Sequence, residues 1–227
     1  MHNPFSIQII YVFDALCGWC YGFSRTITQF ASAHPELQVE VLSGGLYRGE
    51  RVRPVREFAH IPDANRRITE ATGAVFGEAY ECLLTDGDVV MNSEMAATGL
   101  ITLRRKAPER SIEIAAAIQR AFYFDGLALS EPATYETLAK RLGLDELGVA
   151  NDVQSGRWRA DAQSDFERVK KLGATSYPSI FAVLHGEAHN LCINSRDTCS
   201  TIEERVQMVA EGMQWHSLMA CRQMLRH

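Results

Sequence analysis

The sequence predicts an α/β protein in which a small mixed sheet, drawn from both ends of the chain, is interrupted by a block of helices. Three observations predict it. A strand–helix–strand pattern occupies the first 45 residues, helical periodicity without a convincing strand follows from Pro54 to Gly156, and strand character returns at Ser179.

Ile7-Gln8-Ile9-Ile10-Tyr11-Val12-Phe13 is rich in β-branched and aromatic residues with few polar interruptions. That is the composition of a strand covered on both faces. After Asp14-Ala15-Leu16 and the pair Cys17 and Cys20, the stretch from Tyr21 to Ala33 reads as a helix closed by His34-Pro35. Leu37 to Leu42 alternates and reads as a second strand, ended by Gly44-Gly45. Strand, helix and strand in this order favour a parallel pair joined by a right-handed crossover.

The middle of the chain carries apolar residues at helical spacing over 63–72, 74–84, 92–106, 108–124 and 132–142. Asp63, Asn92-Ser93 and Ser130 are candidate N-caps, and Gly87, Gly126 and Gly143 lie at the breaks. A further helix is expected from Trp158 to Leu172, ending at Gly173. Ser179 to Leu184 then reads as a strand, His185-Gly186-Glu187 as a turn, and Ala188 to Ile193 as the returning strand of a hairpin. A closing helix is expected from Thr201 to Gln214, with helical character continuing towards His227.

The net charge of −5 over 227 residues leaves no basic footprint for nucleic acid. Arg104-Arg105-Lys106, the densest positive run, reads as a solvated helix face. No apolar run is long enough to span a bilayer. Met1-His2-Asn3-Pro4 carries no Lys or Arg, and Asp14 interrupts the apolar stretch that follows, so no export signal is read there. A soluble, cytoplasmic protein is the expectation.

Six cysteines in a chain of this length are too few for a disulfide scaffold. Disulfide exchange needs a thiolate and a second thiol within reach to resolve the mixed disulfide. Cys17-Gly18-Trp19-Cys20, placed between a buried strand and a helix, supplies both. The helix start offers unpaired N–H groups and the positive end of the dipole to the first sulfur. Cys17 is therefore expected to attack, and Cys20, more shielded, to resolve. Gly18 is read as allowing a tight turn, and Trp19 as an apolar contact for substrate or simply a lid on the helix. Thr175-Ser176-Tyr177-Pro178-Ser179 precedes a strand, where a proline marks either a cis bond or an ordinary edge-strand entry.

Together these pieces resemble the DsbA family of thioredoxin-like oxidoreductases, and among them the cytoplasmic, FrnE-like protein disulfide isomerases. The residues that carry the resemblance are Tyr11 to Phe23, around the cysteines, and Gly173 to Ser179. It implies a thioredoxin-like fold, residues 1–50 and 157–227, with an all-helical insertion domain over residues 51–156. It implies a redox-active centre in which Cys17 and Cys20 are catalytic, Pro178 is a cis proline facing them, and the backbone of Tyr177 pairs with an extended substrate. Substrates would be polypeptides or small disulfides and thiols. No cofactor beyond the dithiol is expected, with glutathione or another thiol as electron donor. Exported members often carry His inside the pair, whereas Gly18-Trp19 lacks that imidazolium, so the direction of electron flow stays open. A neighbouring branch, of glutathione-dependent isomerases and kappa-class transferases, typically has Ser at the nucleophile position. Cys17 argues against that branch, and a glutathione-dependent isomerase or transferase is the alternative function.

Cys192 and Cys199, with six residues between them, are candidates for a second disulfide, or else each is a packing residue. Zinc would need the thiolates of residues 17, 20, 192 and 199 to converge tetrahedrally, and no metal is expected. Cys82 and Cys221 read as packing residues. Asp14 is read as a loop cap before a proton carrier. The seven histidines show no metal spacing, and Glu94 and Glu113 are too far apart in sequence for an acid–base pair.

Overall fold

The structure, a computed structural model, describes residues 7–211. Its main sheet has four strands: β1 (Gln8–Phe13), β2 (Gln38–Ser43), β5 (Ser179–Leu184) and β6 (Glu187–Asn190). Their order is β2-β1-β5-β6. β1 and β2 are parallel, with Tyr11 opposite Val41, and β5 runs antiparallel to β1, with Ile180 opposite Tyr11. β1 is thus central, which explains its unbroken apolar run. Alternation sends Ile9, Tyr11 and Phe13 into the main core. It sends Ile10 and Val12 to the other face, against Leu42, Val169 and Phe181.

Helix α1 (Gly18–Ala33) crosses from β1 to β2 and buries Cys20, Phe23, Ile27 and Phe30, a stripe at helical spacing. It begins earlier than the pattern from Tyr21 suggests, so Cys17 lies at its N-cap and Cys20 inside its first turn. The insertion contains α2 (Ile61–Thr72), α3 (Glu78–Asp86), α4 (Ser93–Lys106), α5 (Ser111–Tyr123), α6 (Pro132–Leu142) and α7 (Glu146–Gln154). α8 (Arg159–Lys171) and α9 (Cys199–Ala210) flank the hairpin. α1, α5 and α9 pack together on one side, and α8 lies against β2. The apolar core is continuous from β1 through α5 and α6.

Several expectations need correction. A short antiparallel pair, β3 (Arg53–Pro54) with β4 (Val90–Met91), enters the region read as purely helical. Asn92 does cap α4, accepting from Glu94 N and Met95 N, but the N-caps of α2 and α6 are His60 and Glu131 rather than Asp63 and Ser130. β6 ends at Asn190, so Cys192 lies beyond the strand with a left-handed φ of 50°. Cys199 is a free thiol, so it forms no disulfide with Cys192. Cys82 is exposed rather than packed. The basic run is not merely solvated: Arg104 pairs with Asp165, Arg105 with Asp161, and Arg105 stacks 3.8 Å over the Trp158 ring. The helical expectation beyond Glu211, and Cys221 with it, lies outside the described residues.

Candidate active site

The end of β1 is tied by one carboxylate. Asp14, fully buried, accepts from Leu16 N at 3.0 Å and from Leu46 N at 2.8 Å. The first bond closes an Asx turn that aims the chain into α1, and the second holds the loop after β2. Burial raises the Asp14 carboxyl above its ordinary range, while the Leu46 and Leu16 amides, the Ser93 hydroxyl and the Gly45 amide pull it back.

Cys17 is the N-cap of α1, in extended conformation (φ −94°, ψ 110°), and its own N–H bonds to Asp14 O at 3.0 Å. Its sulfur stands where the unpaired first-turn amides and the helix dipole favour negative charge. No acidic residue occupies that turn. The thiol lies 3.7 Å from the carbonyl of Tyr177. Both cysteines are free thiols, and Cys17 keeps 7% of its surface exposed where Cys20 keeps none.

Burial pushes the Cys20 thiol well up. Its hydrogen bond to the Cys17 sulfur and the charge of a Cys17 thiolate add to this, the Asp14 amide opposes it, and the Asp14 carboxylate adds a smaller push upward. Ionisation of Cys20 is therefore disfavoured. This asymmetry suits the two sulfurs to different steps, attack for the outer one and resolution for the inner.

The Tyr177–Pro178 peptide is cis. Pro178 is buried and Tyr177 half-buried, its hydroxyl donating to Gly44 O at 2.6 Å. The Tyr177 ring crosses so close to Gly44 that a Cβ there would sit 2.3 Å from it. Gly44 is thus the residue that lets the Tyr177 loop reach the end of β2. Gly18 serves a different purpose from the turn read in the sequence. It lies within α1, and a Cβ on it would come 2.7 Å from Ile68 of α2.

Beside the pair opens a groove of about 1120 Å³. Trp19, Tyr177 and Pro178 line it together. Its other walls are Arg67, Glu70 and Ala71 of α2 and the loop Ile193 to Asp197. Arg205 of α9, almost fully buried, holds that loop by donating to Leu191 O, Cys192 O and Asp197 Oδ2 at 3.0, 2.8 and 2.9 Å. Asp197 also accepts from Asn194 N and Nδ2, each at 2.8 Å. Sequence reasoning missed these walls. Asn194-Ser195-Arg196-Asp197 carries an Asx-turn signal, but nothing local in α2 marks Arg67 or Glu70. Among the described residues, no three His, Cys, Asp or Glu side chains are grouped as a metal requires, and no helix is long and apolar enough to cross a membrane.

No protein-family model matches the sequence, and a search of curated proteins finds no match. Solved structures do match. A candidate protein disulfide isomerase of Nitrosomonas europaea aligns at TM-score 0.76 and 20% identity, over 92% of this chain and 100% of that one. The cytosolic disulfide reductase DsbM of Pseudomonas aeruginosa aligns at TM-score 0.74 and 24% identity, over 90% and 98% of the two chains. The structure of DsbM with GSH aligns at TM-score 0.72 and 25% identity, over 91% and 100%. The architecture of this chain, a thioredoxin-like sheet carrying a helical insertion, is therefore that of the DsbA-type disulfide oxidoreductases.

Proposed function

We propose that this chain is a dithiol–disulfide oxidoreductase in which Cys17 attacks a substrate disulfide and Cys20 resolves the mixed disulfide. The observation that carries the reading is the asymmetric pair of free thiols at the start of α1: an outer sulfur at the helix terminus that keeps some exposure, and an inner one fully buried. In the first step the Cys17 thiolate bonds to one substrate sulfur and the other leaves as a thiolate. In the second, Cys20 bonds to Cys17 and releases the first sulfur. The substrate disulfide gains two electrons and the pair loses them. Trp19, Tyr177 and Pro178 are the contacts proposed for substrate.

The groove suits small thiol disulfides as well as peptides. Arg67 and Arg196 offer cationic partners for carboxylates, and Glu70 and Asp197 offer anionic partners for an ammonium. The match to a disulfide reductase structure with GSH supports glutathione as the thiol exchanged. Reduction of glutathionylated or protein disulfides in the cytoplasm is the direction favoured, with isomerisation as a second outcome of the same chemistry.

The test is a pair of variants. Cys17→Ser is expected to abolish reduction of insulin and of glutathione disulfide. Cys20→Ser is expected to accumulate a mixed disulfide on Cys17, seen as added mass that dithiothreitol removes. Full activity in Cys17→Ser would end this reading. Unchanged turnover of a small glutathione adduct in Cys20→Ala would replace it with glutathione-dependent transferase or isomerase chemistry at Cys17 alone.

A further inference from the structure

Tyr11 lies in the central strand on the face that packs under α1. Its ring stacks on Phe13 at 5.5 Å between centroids and meets Phe23 at 6.3 Å. Phe23 is one turn beyond Cys20 on the same buried stripe, so the Tyr11 ring sits beneath the helix face that carries the resolving thiol. Tyr11 is only 1% exposed, and its hydroxyl has no hydrogen-bond partner among the described residues. A buried hydroxyl without a partner is costly, and a phenylalanine would fill the same space without that cost. The groups that act electrostatically on the phenol are Cys20 first and Cys17 second.

We propose that the Tyr11 hydroxyl is the side-chain hydrogen-bond donor that stabilises the Cys20 sulfur as it becomes a thiolate in the resolving step. The inference rests on the exchange chemistry proposed above and assigns it a third residue. Before resolution the Cys20 thiol has the Cys17 sulfur as its hydrogen-bond partner. Once Cys17 is bound to substrate sulfur, that partner is lost and the Cys20 anion stands in a site with no solvent access. The groups that face it are then the Asp14 carboxylate, which repels it, the Asp14 backbone amide, which favours it, and the phenols of Tyr11 and Tyr177. The Tyr177 hydroxyl is already committed to Gly44 O. The Tyr11 hydroxyl is uncommitted. In the step itself the Cys20 S–H bond breaks, the Cys20–Cys17 bond forms, the Cys17–substrate bond breaks, and the leaving thiolate takes up a proton. Tyr11 donates its hydrogen bond to the Cys20 anion as that charge forms, and keeps its own proton.

The test uses the reduced full-length protein and the aromatic disulfide 5,5′-dithiobis(2-nitrobenzoate) in stopped flow. Attack by Cys17 releases one coloured thiolate, and resolution by Cys20 releases the second. In Tyr11→Phe the first phase is expected to be unchanged and the second to slow by about tenfold or more, as expected for losing a hydrogen bond to a charged group. The melting temperature is expected to rise, because the orphan hydroxyl is gone. An unchanged second phase overturns the proposal. So does slowing of both phases with a lower melting temperature, which would mark Tyr11 as packing only. If the wild type lacks a first phase that Cys17→Ser removes, the exchange reading itself fails, an outcome distinct from either.

Discussion

Asp14 shows how one side chain serves structure and chemistry together. Its two oxygens hold the Leu16 and Leu46 amides, so it fixes both the approach to α1 and the loop after β2. Its charge also helps keep the proton on Cys20. A strongly oxidising pair is one whose reduced form is stabilised as a thiolate. Here burial, Cys17 and Asp14 together resist ionisation of the inner thiol. Asp14→Asn is expected to shift the potential towards a more oxidising value, read by equilibration in glutathione buffers. It is also expected to cost stability, about 1–3 kcal/mol, because an amide NH₂ then faces one of the two donor amides. An unchanged or more reducing potential in the folded variant would remove the electrostatic role and leave the structural one. The sequence made the local half of this legible: an aspartate two residues before Leu16 reads as a loop cap. Its bond to Leu46 was not legible, because that contact exists only once β2 pairs in parallel with β1.

Between elements, the site depends on how closely α2 approaches α1. Gly18 and Gly22, four apart on one face of α1, both meet Ile68. A Cβ on Gly22 would come 2.8 Å from Thr72 Oγ1 and 3.0 Å from both Thr72 Cγ2 and Ile68 Cγ2. Thr72 is poorly able to yield, since its hydroxyl donates to Ile68 O at 2.7 Å and accepts from Ala74 N at 3.2 Å. Gly22→Ala is therefore expected to destabilise by about 1–3 kcal/mol, as overpacking does. It is also expected to raise KM for glutathionylated substrates by displacing Arg67 and Glu70, with alkylation of Cys17 little changed. Calorimetry and steady-state kinetics check the two parts, and a variant as stable as wild type would mean that α2 does not bear on α1 this closely. Glycines were legible where they end helices: Gly87 and Gly143 carry left-handed φ of 73° and 68° at the breaks the sequence suggests. Gly22 was not, because a glycine inside a helix reveals nothing of its neighbour until the neighbour is placed. That the sequence reading names no helix where α7 forms has a related cause. It buries little beyond Val149 and Val153, too few positions to set a period.

Across the whole molecule, the first crossover helix is tied to the last described one. The fold class was legible because the strand pattern at each end of the chain is locally strong. The groove was not, because α2 and the loop Ile193 to Asp197 meet only through tertiary packing. One joint between these distant parts is ionisable. His34, at the C-cap of α1, bonds through Nε2 to Glu203 of α9 at 3.0 Å and through Nδ1 to Glu36 at 3.1 Å, and its ring packs on Phe30. The Glu203 bond, with a smaller contribution from Glu36, raises the histidine above its ordinary value. Glu203 is lowered, chiefly by His34, and Glu36 is lowered by its own backbone amide and then by His34. For the histidine, whose folded value is raised, the stabilisation is complete below the unfolded value of about 6.5 and is lost as pH rises through the folded value. For the two glutamates, whose folded values are lowered, it is present above about 4.5 and lost as pH falls through the folded values. The joint is therefore strongest between those limits, with an imidazolium between two carboxylates. His34→Gln keeps hydrogen-bonding capacity but cannot carry the charge. Its deficit in melting temperature relative to wild type is expected to be largest near pH 5.5 and to shrink towards pH 8.5. Added salt is expected to reduce it, since the groups are largely solvent-accessible. A deficit that stays constant across this range would show that His34 holds α1 to α9 by packing on Phe30 and neutral hydrogen bonds, with no contribution from its charge.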